Sequence, residues 1–198
     1  MVFFIPMFDP KQAYWYTLMQ SKPVNPPTKN VQLTHTQLYK FTCANKVVYH
    51  IVVEIYKDIY YFIKYYPSKM QHEPMKYKVR TNRQKDFSKI IGTCAKLTSD
   101  LINKRPDAFF GFVGQWDEID IDNKEEISQR FTLYRKISAN LFPKEKYTYV
   151  EVKHLNMMVF SYHENVTDKV IKDLKKDVAT FLTMPGATSL IMPTHLET

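Results

Sequence analysis

Glycine and cysteine are scarce in this chain, and each shortage excludes a class of site. Four of the 198 residues are glycine, so a glycine-rich loop that cradles phosphate through backbone N–H groups is excluded. The two cysteines, Cys43 and Cys94, lie far apart and belong to no Cys-x-x-Cys or Cys/His zinc spacing. Because no disulfide framework is indicated, we expect the protein to work in a reducing compartment.

Long apolar runs are also lacking. No stretch approaches the roughly 20 consecutive apolar residues that a membrane-spanning helix needs. The apolar start of the chain, residues 1–8, is short, has no basic region and is interrupted by Pro6, so we do not expect it to be a signal peptide. These absences predict a cytoplasmic protein that does not interact with membranes.

The residues that are abundant predict one folded domain, residues 1–198, with a basic surface. Hydrophobic residues make up 44% of the chain, which is enough for a sizeable core. No internal repeat or linker composition divides the sequence. The formal net charge is +8 and the isoelectric point is about 9.3. This excess has two explanations, a solvated basic surface or an acidic partner such as nucleic acid, and composition alone favours the first.

Residues 86–142 carry the clearest pattern, which predicts a helix, a strand, an acidic loop and a second helix. Apolar residues between 87 and 102 recur at i, i+3, i+4 and i+7, the spacing of one helical stripe. Residues 108–113 are apolar at every position and are followed by Gly114. A short run of this kind is typical of a strand that is covered on both faces. The second helix ends before Pro143.

The flanking segments complete an α+β prediction. Short turns between β-rich runs indicate an antiparallel meander, in which residues 75–80 are a candidate fourth strand. The prolines of residues 1–30 argue against a long regular element there. Asn165 or Thr167 suits the N-cap of a last helix.

We therefore predict an antiparallel sheet with two or three helices packed on one face, and the C-terminal helix is expected to join the central pair. The predicted segments are an irregular proline-rich arm (1–30), a meander (31–80), a helix–strand–helix unit (86–142), a hairpin (147–163) and a C-terminal helix (166–183).

The acidic loop supplies the candidate metal ligands, Asp117, Asp120 and Asp122. Open sheets place ligands at strand ends of this kind. However, the loop lacks the glycine and the spacing of a Ca²⁺ loop, and the six histidines form no His-x-His or His-x-x-x-His pair. An exposed, solvated loop is therefore the preferred interpretation. No catalytic residue, metal or cofactor is predicted, and an enzyme is not the favoured class.

A basic run is the candidate nucleic-acid-binding surface. It contains six cations against one acid, Asp86, and Tyr77 lies among them. Cations beside an aromatic residue suit a phosphate backbone. Lysines that protect an exposed edge strand explain the same pattern, and this second interpretation is preferred. The six residues are Lys76, Lys78, Arg80, Arg83, Lys85 and Lys89.

The central unit resembles a group of small bacterial proteins of unknown activity, best known from Bacteroidetes-type genomes. In that group a helix and an apolar strand ending in glycine precede an Arg-x-x-x-Tyr helix, and residues 108–114 and 130–134 match that order. The resemblance implies a fold and no activity. It nominates Arg130 and Tyr134, since an arginine on the first turns of a helix binds an anion or forms an ion pair. An ordinary ion pair within the chain is preferred.

Three functional classes stay open, in a fixed order. The first is a non-catalytic protein-interaction protein, the second a nucleic-acid binder that uses residues 76–89, and the third a metal-dependent hydrolase that uses the loop 117–126. For the first class, exposed aromatic residues on one sheet face would indicate a protein partner or a homodimer, and burial of all of them would remove the reason for it. The residues concerned are Trp15, Tyr60, Tyr61, Tyr65 and Tyr66.

Overall fold

A mixed seven-stranded sheet organises the part of the chain that the computed structural model describes, which is residues 13–24, 32–73, 76–78, 84–114 and 127–182. The sheet order is β1-β2-β3-β4-β5-β7-β6. This arrangement, with its helices, confirms the α+β prediction. The strands are β1 (Tyr16–Pro23), β2 (Leu33–Thr42), β3 (Val48–Tyr56), β4 (Tyr60–Pro67), β5 (Phe109–Val113), β6 (Tyr147–Val152) and β7 (Met157–Tyr162), and the helices are α1 (Gln84–Lys104), α2 (Gln129–Leu141) and α3 (Asp168–Leu182).

The pairing of β4 with β5 differs from the rest of the sheet because it is parallel. The other pairs between described strands are antiparallel, as predicted. Helix α1 makes the crossover that a parallel pair requires. The parallel ladder covers three pairs, from Tyr60↔Phe109 to Phe62↔Gly111. Beyond it, β4 continues along β3 and β5 continues along β7, so the two strands part at their C-terminal ends.

Both faces of the sheet are covered by helices. Alternate residues of β4 point to opposite faces, so that Tyr61 packs with α1 and α2, whereas Tyr60 and Phe62 pack with Leu174 of α3. Two helices therefore share one face, as the prediction allowed. The C-terminal helix does not join them, because its apolar stripe packs on the second core. Its N-cap is Thr167, whose Oγ1 accepts a hydrogen bond from Val170 N at 3.3 Å.

The predicted irregular arm contains a regular element, β1, which pairs along β2. Its proline is the last residue of the strand, where a missing N–H costs little. Tyr14, just before the strand, stacks on Phe41 with ring centres 5.8 Å apart, and the hydroxyl of Tyr16 donates to Asp100 of α1. Two tyrosines thus tie β1 to the core and to α1.

The candidate fourth strand of the meander, residues 75–80, is not a strand where the structure describes it. Lys76–Lys78 form a short 3-10 helix. Tyr77 packs edge-on against Tyr66, with ring centres 5.4 Å apart. The alternation of basic and apolar residues that suggested a strand therefore reflects one half-buried tyrosine between lysines.

Candidate functional site

A cavity of about 110 Å³ lies where β4 and β5 part, beneath α1 and α2. Open sheets bind ligands in the crevice at the carboxyl ends of strands where neighbours diverge. An engineered apolar cavity of about 150 Å³ holds a benzene molecule. The space between β4 and β5 therefore has about the size that one ring or a short alkyl chain needs.

Most of the cavity wall is apolar and comes from four elements. On α2 the lining residues follow helical spacing from Arg130 to Leu141, and α1 contributes Ile91 and the residues around Cys94. The sheet contributes Ile63 and Phe112. Several of these apolar side chains are only half-buried although they lie between sheet and helices. Apolar surface is therefore accessible inside the cavity.

Two phenols face each other in this apolar setting. The hydroxyl of Tyr134 on α2 lies 3.5 Å from the hydroxyl of Tyr65 on β4. Burial raises the pKa of both groups, and the positive charge of Arg130 acts on both in the opposite direction. Both phenols are therefore neutral hydrogen-bond donors near neutral pH.

Two positively charged side chains, Arg130 and Lys64, line the same cavity. The Nη1 of Arg130 donates to the backbone carbonyl of Tyr77 at 2.8 Å. The Nζ of Lys64 lies 2.7 Å from a carboxylate oxygen of Glu54 and 5.5 Å from the ring centre of Tyr77. The Lys64 and Glu54 side chains are only 15% and 18% exposed, so this ion pair is held in a fixed place.

The described lining of the cavity offers phenols, a guanidinium and an ammonium, but no carboxylate or imidazole. None of the described lining residues is an aspartate, a glutamate or a histidine. Cys94 lines the cavity, but burial raises its thiol pKa to about 12, which keeps it protonated and unreactive. The described residues also contain no group of three or more side chains suited to a metal.

Of the residues nominated from sequence, Arg130 and Tyr134 meet at the cavity. Of the basic run, the structure describes the side chains of Lys76 and Lys89 alone, so the nucleic-acid-binding role stays a prediction. Lys76 donates to Gln71 O and lies 4.9 Å from the ring centre of Tyr66, so it does not protect an edge strand. Lys89 is exposed beside the ring of Tyr14. The side chains of Lys78 and Lys85, and the whole of Arg80, Arg83, Asp117, Asp120 and Asp122, lie outside the described residues.

The predicted aromatic sheet face is mostly interior. Tyr60, Tyr61 and Tyr66 are buried, and Tyr65 is half-buried at the cavity. Trp15 is different, with 95% of its surface exposed just before β1. The neighbouring Leu18 and Met19 are 49% and 53% exposed. Within the described ranges, the exposed large apolar side chains therefore gather at β1.

Sequence reasoning did not nominate Lys64, and it considered Tyr65 only as one of the aromatic residues of a candidate partner surface. One signal was present, because Lys64 interrupts a strand of aromatic and aliphatic residues. A charge in such a run indicates either an edge or a paired buried position. The sequence does not reveal that its neighbour Tyr65 lies opposite a tyrosine of α2.

None of the helices in the described ranges combines the length and apolarity that crossing a membrane requires. The resemblance to a bacterial group stays a prediction. No family model, no curated protein and no solved structure matches this chain, so its function is argued from the site.

Proposed function

We propose that the protein is a non-catalytic binding protein whose cavity takes a small, mainly apolar molecule. One observation carries the proposal, namely the cavity of about 110 Å³ with a partly accessible apolar wall at the divergence of β4 and β5. A ring or short alkyl chain that enters this space exchanges contact with water for contact with Ile91, Phe112 and Ile137. Burial of apolar surface contributes about 25 cal/mol per Å².

The size of the ligand limits its affinity. Small ligands reach at most about 1.5 kcal/mol per non-hydrogen atom. For a molecule of six to nine such atoms we expect dissociation constants roughly in the micromolar to millimolar range, about 4–8 kcal/mol, which lies below that ceiling. Titration calorimetry and ligand-observed NMR both measure affinities of this order.

The test is to fill the cavity from α1. Ala95 lines the cavity, and Ala95→Phe would place a ring in the space that the ligand needs. We expect benzyl alcohol, indole or hexanol to bind the wild type and to lose binding in Ala95→Phe and, more weakly, in Ala95→Leu. The matched control is Ala139→Phe, because Ala139 lies exposed on α2 and does not line the cavity.

Two results would overturn the proposal. The first is a wild type that binds none of the probes at millimolar concentration. The second is an Ala95→Phe variant that is folded by circular dichroism and binds as tightly as the Ala139→Phe control.

A second candidate function, protein interaction, is favoured by the apolar surface at β1. Trp15, Leu18 and Met19 are exposed there, and β1 is the edge of the described sheet. Residues 16–21 carry no charge, so two copies of the strand can pair without like-charge repulsion although the chain as a whole is basic. The partner that fits this edge best is a second copy of the chain.

A further inference from the structure

We infer that the cavity ligand is a small neutral carbonyl compound (a ketone, an aldehyde or an ester) whose oxygen accepts hydrogen bonds from the hydroxyls of both Tyr65 and Tyr134. This inference rests on the proposed function and adds the chemical class of the ligand. The apolar body of the molecule lies against Ile91, Ile137 and Leu141, which line the same cavity. The volume of the cavity restricts the class to compounds with one ring or a short alkyl chain.

The spacing of the two phenols provides the first argument. The hydroxyl oxygens of Tyr65 and Tyr134 are 3.5 Å apart, whereas hydroxyl–hydroxyl hydrogen bonds are usually about 2.7–2.8 Å long. The direct bond between the two phenols is therefore weak. The two oxygens are nevertheless close enough together for one ligand oxygen to lie at the usual hydrogen-bond length from both. Such an atom replaces one weak hydrogen bond with two of normal length.

The balance of donors and acceptors provides the second argument. The hydroxyl of Tyr134 donates to that of Tyr65, and within the described part of the chain the proton of Tyr65 has no acceptor. Burial raises the pKa of both phenols, so both keep their protons near neutral pH. A buried donor without a partner is costly. A carbonyl oxygen has two lone pairs and can accept from both hydroxyls.

The apolar wall provides the third argument, because it favours a neutral acceptor that brings no proton of its own. Moving an ion from water into an apolar space costs far more than moving a neutral polar group. Lys64 is paired with Glu54, and Arg130 donates to the carbonyl of Tyr77, so neither cation requires an anionic ligand. A ligand amine or hydroxyl would bring a further proton, and the described lining has no carboxylate or imidazole to accept it.

The experiment compares acetophenone with α-methylstyrene, in which a CH₂ group replaces the carbonyl oxygen and the shape of the molecule is kept. Each compound is titrated into the full chain, as wild type and as Tyr134→Phe. We expect Tyr134→Phe to weaken acetophenone binding about tenfold, because the variant removes one of the two hydrogen bonds to the carbonyl oxygen. Binding of α-methylstyrene should not weaken, since this compound accepts no such bond.

Infrared spectroscopy of bound acetophenone measures the hydrogen bonds themselves. Hydrogen bonding lowers the stretching frequency of a carbonyl group, so the frequency should be lower in the wild-type complex than in an apolar solvent. It should rise in Tyr134→Phe and in Tyr65→Phe. A variant that only loosened the cavity would weaken the binding of both compounds together. Tyr65→Phe also keeps the test open if Tyr134→Phe does not fold.

The control is Tyr162→Phe. Tyr162 lies on β7, stacks on Tyr147 with ring centres 4.7 Å apart and does not line the cavity. Loss of its hydroxyl should leave the affinity for both compounds and the carbonyl frequency of acetophenone unchanged.

The outcomes separate the two proposals. If α-methylstyrene binds and acetophenone does not, the carbonyl inference is wrong while the proposed function stands. The same holds if folded Tyr134→Phe and Tyr65→Phe keep the wild-type affinity for acetophenone and its wild-type carbonyl frequency. If the wild type binds neither compound at millimolar concentration, the proposed function itself is wrong.

Discussion

At the scale of single residues, three buried positions join the end of β5 to the start of α2. Gly114 N donates to Asn156 O at 2.7 Å, and Ser128 Oγ donates to Gly114 O at 2.8 Å. The Oδ1 of Asn156 accepts from Ser128 N at 2.6 Å. Ser128 also caps α2, accepting from Phe131 N at 3.0 Å. These bonds fix where α2 begins and therefore where Arg130 and Tyr134 lie.

Gly114 is the most sensitive of these positions, and Gly114→Ala should destabilise the protein strongly. A Cβ at Gly114 would overlap the backbone of Phe131, which belongs to α2 and has little freedom to move. Overpacking of this kind costs about 1–3 kcal/mol or more. Urea denaturation measures the loss.

Gly111→Ala is the matched comparison for that change. Its Cβ would come within 2.8 Å of Met158 O and 3.0 Å of a Phe62 ring carbon, which is a milder overlap than the one with the backbone of Phe131. We expect a smaller loss than at Gly114. The packing of α2 on β5 would be contradicted if Gly114→Ala were as stable as the wild type. It would also be contradicted if Gly111→Ala lost more stability than Gly114→Ala.

At the scale of elements, sequence periodicity predicted α1 and β5 well and β1 poorly. Helix α1 presents a long apolar stripe to the sheet, and β5 is buried on both faces, so both have strong local patterns. In β1, by contrast, six of the eight residues are exposed. A strand that buries little has no alternation to detect, and its position depends on pairing with β2 and on contacts of Tyr14 and Tyr16 with α1.

The dimer proposed for β1 leads to a prediction at this scale. Met19→Lys should lower self-association at least about tenfold, because a charge on an edge strand opposes pairing with a second copy. Sedimentation velocity over a range of protein concentrations measures it. Asn140→Lys is the control, since it adds the same charge at an exposed position of α2. A wild type that stays monomeric at all concentrations would rule out the dimer.

At the scale of the whole molecule, buried and half-buried phenols and a half-buried thiol should make the fold sensitive to alkali. Burial raises the pKa of Tyr60 from 10.0 and of Cys94 from 9.0, each to about 12, and burial likewise raises that of Tyr56 and Tyr149. The unfolded chain releases these protons at lower pH than the folded chain does. The free energy of unfolding is therefore unaffected below the ordinary pKa values and falls as pH rises above them.

Each such group lowers the free energy of unfolding by about 1.4 kcal/mol per pH unit in the range between its two pKa values. Urea denaturation at a series of pH values from neutral upward measures the slope. Tyr60→Phe removes one of these groups and should give a shallower slope than wild type. A free energy of unfolding that stays constant well above pH 10.0 would show that these phenols are not buried as described.

The sequence by itself determined the fold class and the local elements with strong periodicity. It also nominated Arg130 and Tyr134, which are four residues apart and therefore share one side of a helix. The parallel pairing of β4 with β5, their divergence, and the packing of α3 on the second face were decided only by the tertiary structure. Local pattern shows that a face is apolar, but contacts between distant segments decide which neighbour covers it. The cavity follows from those contacts, because Tyr65 meets Tyr134 only after two strands have paired and then parted.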